Sequence, residues 1–115
     1  MFVSKDFTFD SAHFLTKYHG KCENLHGHTY KLRVTVEGPV GEDGMVMDFK
    51  DLKTLVKEQV IDRYDHQNLN DFFENPSAEL VAIKIWEDLV GELPVRLYEV
   101  TLWETAESFV TYRGN

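Results

Sequence analysis

From His28 onward the chain alternates. Tyr30, Leu32, Val34 and Val36 fall on one side, and Lys31, Arg33, Thr35 and Glu37 on the other. That period of two is the signature of a half-buried antiparallel strand. Gly38-Pro39 ends it, Gly41 to Gly44 form the next turn, and Met45-Val46-Met47-Asp48 reads as a short returning strand. Upstream, the Phe- and Val-rich stretch from Phe2 to Phe9 predicts a first strand. Residues 11–25 have no clean period, carry Gly20, and read as an ordered loop. The period then changes to that of a helix. Phe49, Leu52, Leu55, Val56 and Val60 share one face, with Asp48 placed to cap the start. A second helix opens at Pro76-Ser77, runs through Leu80, Val81, Ile83, Ile85, Trp86, Leu89 and Val90, and ends at Gly91. The Asp- and Asn-rich residues from about Tyr64 to Asn75 join the helices. A hairpin closes the chain, from Arg96 to Trp103 and from Ser108 to Tyr112, with its turn near Thr105-Ala106-Glu107.

The predicted order is β-β-α-α-β-β. Strands and helices are segregated, so the class is α+β: a four-stranded antiparallel sheet with both helices on one face. Such a sheet keeps two open edges and one face without helices, which predicts self-association into a homo-oligomer. No repeat or linker divides residues 1–115, and 115 residues suit a single domain. The 43% apolar and 13% aromatic content argues against disorder. A formal charge of −8 argues against nucleic-acid binding through a general basic surface. No apolar run approaches the roughly 18 residues of a membrane span, and the opening residues do not read as a signal peptide. One cysteine forms no internal disulfide, so the expected compartment is the cytoplasm.

The candidate chemistry begins at His26-Gly27-His28. Positions i and i+2 of a strand point to the same side, so both imidazoles reach toward one point. Taken alone, a His-x-His pair is more often two surface histidines. His13, at the end of the first strand, tilts the balance part of the way: three converging imidazoles match an open zinc site, with Zn–N distances of about 2.0–2.1 Å and a fourth position free. Cys22 lies four residues before His26. As a fourth ligand it would close the site and make it structural. Standing off the metal beside Lys21, it would be a low-pKa thiol able to act as base or nucleophile, the bland alternative being the buried, inert thiol that is the commonest fate of a free cysteine. Asp65-His66 is a solvated turn or, if the carboxylate orients the ring, a proton relay. Glu104, at a strand end, is an ordinary surface charge or an acceptor for two parallel hydrogen bonds from an aminopyrimidine edge.

In order along the chain stand His13, Cys22-Glu-Asn-Leu-His26-Gly27-His28, Met47-Asp48-Phe49, Asp65-His66-Gln-Asn-Leu69-Asn70, Asn75-Pro76-Ser77-Ala-Glu79 and Trp103-Glu104-Thr105. This series closely resembles the 6-pyruvoyltetrahydropterin synthase / 6-carboxytetrahydropterin synthase family, over essentially the whole chain. The spacing looks more like the short queuosine-pathway members. The resemblance implies the tunnelling fold (T-fold), with subunits assembling into barrel-like rings and a homohexamer. It implies zinc on His13, His26 and His28, Cys22 as general base, Asp65 and His66 as proton relay, and Glu104 as pterin anchor with Thr105 adding a contact. Some relatives use a glutamate as the base, which leaves Glu23 as an alternative to Cys22. The substrate implied is 7,8-dihydroneopterin triphosphate, converted to 6-carboxy-5,6,7,8-tetrahydropterin, acetaldehyde and triphosphate. A 6-pyruvoyltetrahydropterin product and a non-catalytic, zinc-stabilised binding module are the competing readings. A triphosphate also needs local cations, for which Lys5, Lys17, Lys21 and Lys31 are candidates.

Overall fold

The computed structural model describes residues 1–16 and 24–115. Strands β1 (Phe2–His13) and β2 (His26–Glu37) pair antiparallel along their whole length, from Phe2 opposite Glu37 to His13 opposite His26. Ser11, Ala12 and His13 therefore extend the strand where the pattern predicted a loop. Their backbone groups find ladder partners in His26, Gly27 and His28, and that pairing outweighs the missing local period.

The second departure from the expected pattern lies after β2. Met45 to Asp48 form no strand. The Gly41 N–H donates to Met45 O at 2.9 Å, Gly44 takes a φ of 81°, and the Asp43 side chain accepts the Met45 N–H, so the segment closes on itself as a turn. Met47 drops into the core and Asp48 caps helix α1 (Phe49–Val56) by accepting the Lys50 N–H at 2.8 Å. A π-helical stretch, Lys57–Ile61, and a short helix α2 (Asp62–Tyr64) continue it. Leu52, Val56, Val60 and Tyr64 are all buried. A four-residue repeat runs about 40° per step ahead of a 3.6-residue turn, and the wider π turns bring the stripe back over the sheet.

Next come β3 (Gln67–Asn68), a 3-10 turn at Leu69–Asp71, and α3 (Ala78–Val90), capped by Ser77 and ended at Gly91. Strands β4 (Arg96–Trp103) and β5 (Phe109–Tyr112) form the closing hairpin. The sheet order is β3-β1-β2-β4-β5. The expected four strands are present and antiparallel, and β3 adds a fifth, two residues long and parallel to β1 at Ser11 and Ala12. The architecture is α+β, the class that the pattern predicts.

Both helical segments cover one face. Their buried Leu52, Val56, Val81, Ile85 and Leu89 meet Tyr30, Leu32, Val34, Val100 and Leu102 of the sheet. Each such side chain contributes roughly 1.5–3 kcal/mol on burial. The other face mixes ion pairs and hydrogen bonds with aromatic rings, among them the exposed Phe2 and Phe109. Arg33 donates to both oxygens of Asp6 at 2.7 and 3.0 Å, Lys31 stacks 4.7 Å from the Trp103 ring centre, and Ser4 and Thr35 share a hydrogen bond of 2.7 Å. Among the described residues, no helix is long and apolar enough to cross a membrane.

Candidate metal centre and active site

Directly opposed residues of an antiparallel pair project to the same face. His13 opposes His26, and His28 follows two positions on, so the three rings stand together on the helix-covered face beside Tyr30. Ring centres are 4.6 Å (His13–His26), 5.0 Å (His13–His28) and 4.7 Å (His26–His28) apart, with steeply inclined planes. His13 is only 1% exposed. One ring nitrogen from each lies within 4.8 Å of the others.

The outward nitrogens set the tautomers. His13 Nδ1–H donates to Pro76 O at 2.8 Å, and His26 Nδ1–H to Asn24 O at 2.7 Å. A carbonyl only accepts, so each proton sits on Nδ1 and each Nε2 carries a lone pair. The two Nε2 atoms then face each other at 3.1 Å, close enough to share a proton or a metal ion. His28 Nε2 is buried without a partner. Burial holds the His28 ring below the ordinary value of 6.5; Glu104 opposes this, and His13 and His26 push the same way as burial. Three imidazoles converging through ring nitrogens, two of them anchored through Nδ1, are a fitting donor set for a metal ion.

Glu104 follows the last residue of β4 and covers the open side of the cluster. Its Oε1 is 3.5 Å from His28 Nε2, and its Oε2 is 3.9 Å from His13 Nε2. No described residue donates a hydrogen bond to this carboxylate, which also lines a cavity of about 190 Å³ with Glu79, Ser108 and Phe109. Thr105 sits in the hairpin turn, where its hydroxyl accepts the N–H groups of Glu107 and Ser108.

Asp65 and His66 stand elsewhere. Asp65 Oδ1 accepts the Asp10 N–H at 2.9 Å, Asp65 Oδ2 lies 3.0 Å from His66 Nδ1, and His66 N–H donates to Asp10 O at 2.6 Å. The Asp10 peptide N–H, the largest influence, holds the Asp65 carboxyl below the usual 3.8; burial opposes it, and His66 adds to it. His66 has a φ of 58°, the left-handed region that costs a non-glycine residue about 1–2 kcal/mol, offset here by its bond to Asp10. Asp10 in turn accepts from the Thr29 hydroxyl at 2.6 Å, and both project from the uncovered face. Here a cavity of about 540 Å³ is lined by Asp10, Ala12, Gly27, Thr29, His66 and Asn68, and His28 reaches its lining as well. Within one chain, the relay pair and the histidine cluster thus occupy opposite faces of the β1–β2 ribbon.

Cys22, Glu23, Lys17 and Lys21 lie outside the described residues. Lys31 is turned to the uncovered face, 3.5 Å from Asp6. Lys5 is eight residues from His13 along one strand, about 26 Å at the usual rise, which removes it from the cluster. Asp10 and the Pro76 carbonyl were not foreseen as site groups. An aspartate inside a strand and a backbone carbonyl carry no sequence signal of such a role.

Over residues 2–115 the chain matches the model of the family described as 6-pyruvoyl tetrahydropterin synthase. It is 46% identical over 104 residues to the 6-pyruvoyl tetrahydrobiopterin synthase of Dictyostelium discoideum, covering 85% of this chain and 77% of that protein. It is 38% identical over 137 residues to the 6-carboxy-5,6,7,8-tetrahydropterin synthase of Haemophilus influenzae, covering 96% and 97%. The solved 6-pyruvoyl tetrahydropterin synthase of Caenorhabditis elegans matches the fold with a TM-score of 0.91 at 33% identity, covering 100% of this chain and 96% of that one.

Proposed function

The chain belongs to the 6-pyruvoyl tetrahydropterin synthase family, and on that premise we propose that it is a zinc-dependent lyase of queuosine biosynthesis, converting 7,8-dihydroneopterin triphosphate to 6-carboxy-5,6,7,8-tetrahydropterin with release of acetaldehyde and triphosphate. The observation that carries the metal is the convergence of three Nε2 atoms, one of them buried and unpartnered. Ligand atoms around a tetrahedral zinc at 2.0–2.1 Å stand roughly 3.4 Å apart; the 3.1 Å between His13 Nε2 and His26 Nε2 is close to that spacing. Bound there, zinc polarises the substrate's side-chain oxygens and makes its hydroxyls more acidic.

The chain's own groups do the rest. Glu104 has both oxygens clear of hydrogen-bond donors and accepts the N3–H and 2-amino group of the pterin, with Thr105 beside it. Cys22 takes the role of general base, on its place in the motif four residues before His26. Asp65 holds His66 for proton transfer through the contact at 3.0 Å. The pair faces away from the histidines of its own chain, which favours a homohexamer in which it serves a neighbouring copy.

A product assay tests this reading. Zinc-loaded protein is incubated without oxygen with dihydroneopterin triphosphate, and pterins and trapped acetaldehyde are followed by mass spectrometry. The expected result is the carboxy product with matching acetaldehyde. A pyruvoyl product without acetaldehyde would transfer the chain to the sister activity, which its identity to the Dictyostelium relative favours. Unchanged substrate with zinc bound would leave a non-catalytic binding module.

A further inference from the structure

His13 is the last residue of β1 and pairs with the first residue of β2, so the ladder ends on a site residue. Ladder ends fray, and a ring that must aim one lone pair needs a hold beyond the last pair. The loop between α2 and α3 provides it at three points. Pro76 O accepts the His13 Nδ1–H at 2.8 Å. Asn70 grips the next residue from both sides: Phe14 N–H donates to Asn70 Oδ1 at 2.9 Å, and Asn70 Nδ2–H donates to Phe14 O at 3.1 Å. Asn75 Oδ1 accepts the Thr16 N–H at 3.2 Å.

Asn70 is suited to this grip. A carboxamide presents a donor and an acceptor side by side, as a peptide does, and the two contacts settle which end is oxygen. It is itself held, since its N–H donates to Asn68 Oδ1 at 3.0 Å and its neighbour Leu69 is fully buried. The same loop carries Pro76, whose carbonyl fixes the tautomer of His13. Asn70 thereby closes a short circuit: His13 to Pro76, Pro76 back along the loop to Asn70, and Asn70 to Phe14.

We propose that Asn70 is a positioning residue of the metal centre, holding the His13 ring in the aim and tautomer that metal binding requires. The inference rests on the reading of His13, His26 and His28 as metal ligands. Groups bonded directly to a metal ligand are typically worth about 10- to 100-fold in metal affinity, and Asn70, acting one residue further along, is expected near the lower end of that range.

The test uses metal-free protein titrated with cobalt(II), whose visible absorption reports ligand geometry, and with zinc against a chromogenic chelator; melting temperatures of the metal-free forms are read alongside. Asn70→Ala and Asn70→Asp are each expected to bind roughly 10-fold more weakly, with a changed cobalt spectrum. Asn70→Asp keeps the size and the acceptor for Phe14 N–H, so it serves if Asn70→Ala does not fold. Asn75→Ala removes a bond farther along and is expected to lower the melting temperature with little change in affinity. Asn70 variants that bind cobalt like the wild type, with the same spectrum, would overturn the inference whatever their stability. Equal losses for Asn75→Ala would overturn it too, since they would mean general loosening of the loop. A wild type that takes up no metal would instead bring down the reading on which the inference rests.

Discussion

Two groups of three donors, His13–His26–His28 and Asp10–Asp65–His66, lie on opposite faces of one two-stranded ribbon, each compact enough to hold a metal ion. They differ in what their donor atoms already do. In the histidine group the outer nitrogens of His13 and His26 are spent on carbonyls, and the inner ones meet one another and, at 3.5 Å or more, the Glu104 carboxylate, with no hydrogen-bond donor or acceptor on His28 Nε2. In the aspartate group the backbone and Thr29 have taken the oxygens: Asp65 Oδ1 holds the Asp10 N–H, Asp65 Oδ2 faces His66, and Asp10 Oδ1 holds the Thr29 hydroxyl. Spacing alone does not separate them. Unspent lone pairs mark a place for a cation, whereas a carboxylate bonded to an imidazole marks a place for a proton.

The largest effects should divide along that line. On the proposed reading His26→Ala and His28→Ala each take away one of the three metal donors and are expected to lower zinc affinity by more than about 100-fold, beyond the usual cost of losing an outer contact. Asp65→Asn is expected to keep zinc affinity while lowering turnover by about 10²- to 10⁴-fold, the usual worth of acid–base catalysis. Zinc content by chelator competition, beside kcat, reads both. Loss of zinc in Asp65→Asn would break the comparison, because it would couple the two faces.

Where the sequence could be read, local patterning did the work. The alternation after His28 and the helical spacing after Asp48 are short-range, and both elements stand where the pattern puts them. The failures are long-range. Ser11 to His13 are strand because His26 to His28 run beside them, and Met45 to Asp48 are not strand because no neighbour pairs with them. The histidine site shows both halves of this. The i and i+2 spacing placed His26 and His28 on one face, but only the β1–β2 register brings His13 opposite them. The Asp65–His66 pair was visible as residues. Its placement across the ribbon follows from β3 running along β1, a two-residue strand with no period to read.

Acid should separate the two clusters by window. The ordinary His28 value is 6.5 and the folded one is lower. As pH falls through 6.5, the unfolded chain binds a proton that the folded chain refuses, so metal-free stability drops from there down to the folded value and levels off below it. Asp65 is depressed below 3.8, so the stability it contributes is present above that value and is lost only as pH falls through its still lower folded one. Metal-free wild type is therefore expected to melt lower at pH 5.5 than at 7.5, and His28→Gln to lose part of that difference. An Asp65→Asn variant that flattened the same interval would place the titration on the wrong face.

The smallest effect is the sharpest check on the independence of the faces. Thr29 lies next to His28 in β2, yet it projects to the other side and donates to Asp10 Oδ1 at 2.6 Å. Thr29→Val keeps the branched shape that suits a strand and removes only the hydroxyl. Both partners are exposed to solvent. Water can replace the lost bond, and the expected cost is below about 1 kcal/mol by thermal or urea unfolding. Zinc affinity and the acid profile between pH 5.5 and 7.5 should match the wild type, because the His28 ring, its burial and its neighbours are unchanged. A shift in either would mean that a change on one face bends the strand enough to move donors on the other. The metal centre would then depend on the rigidity of the whole ribbon, and not on the histidine face alone.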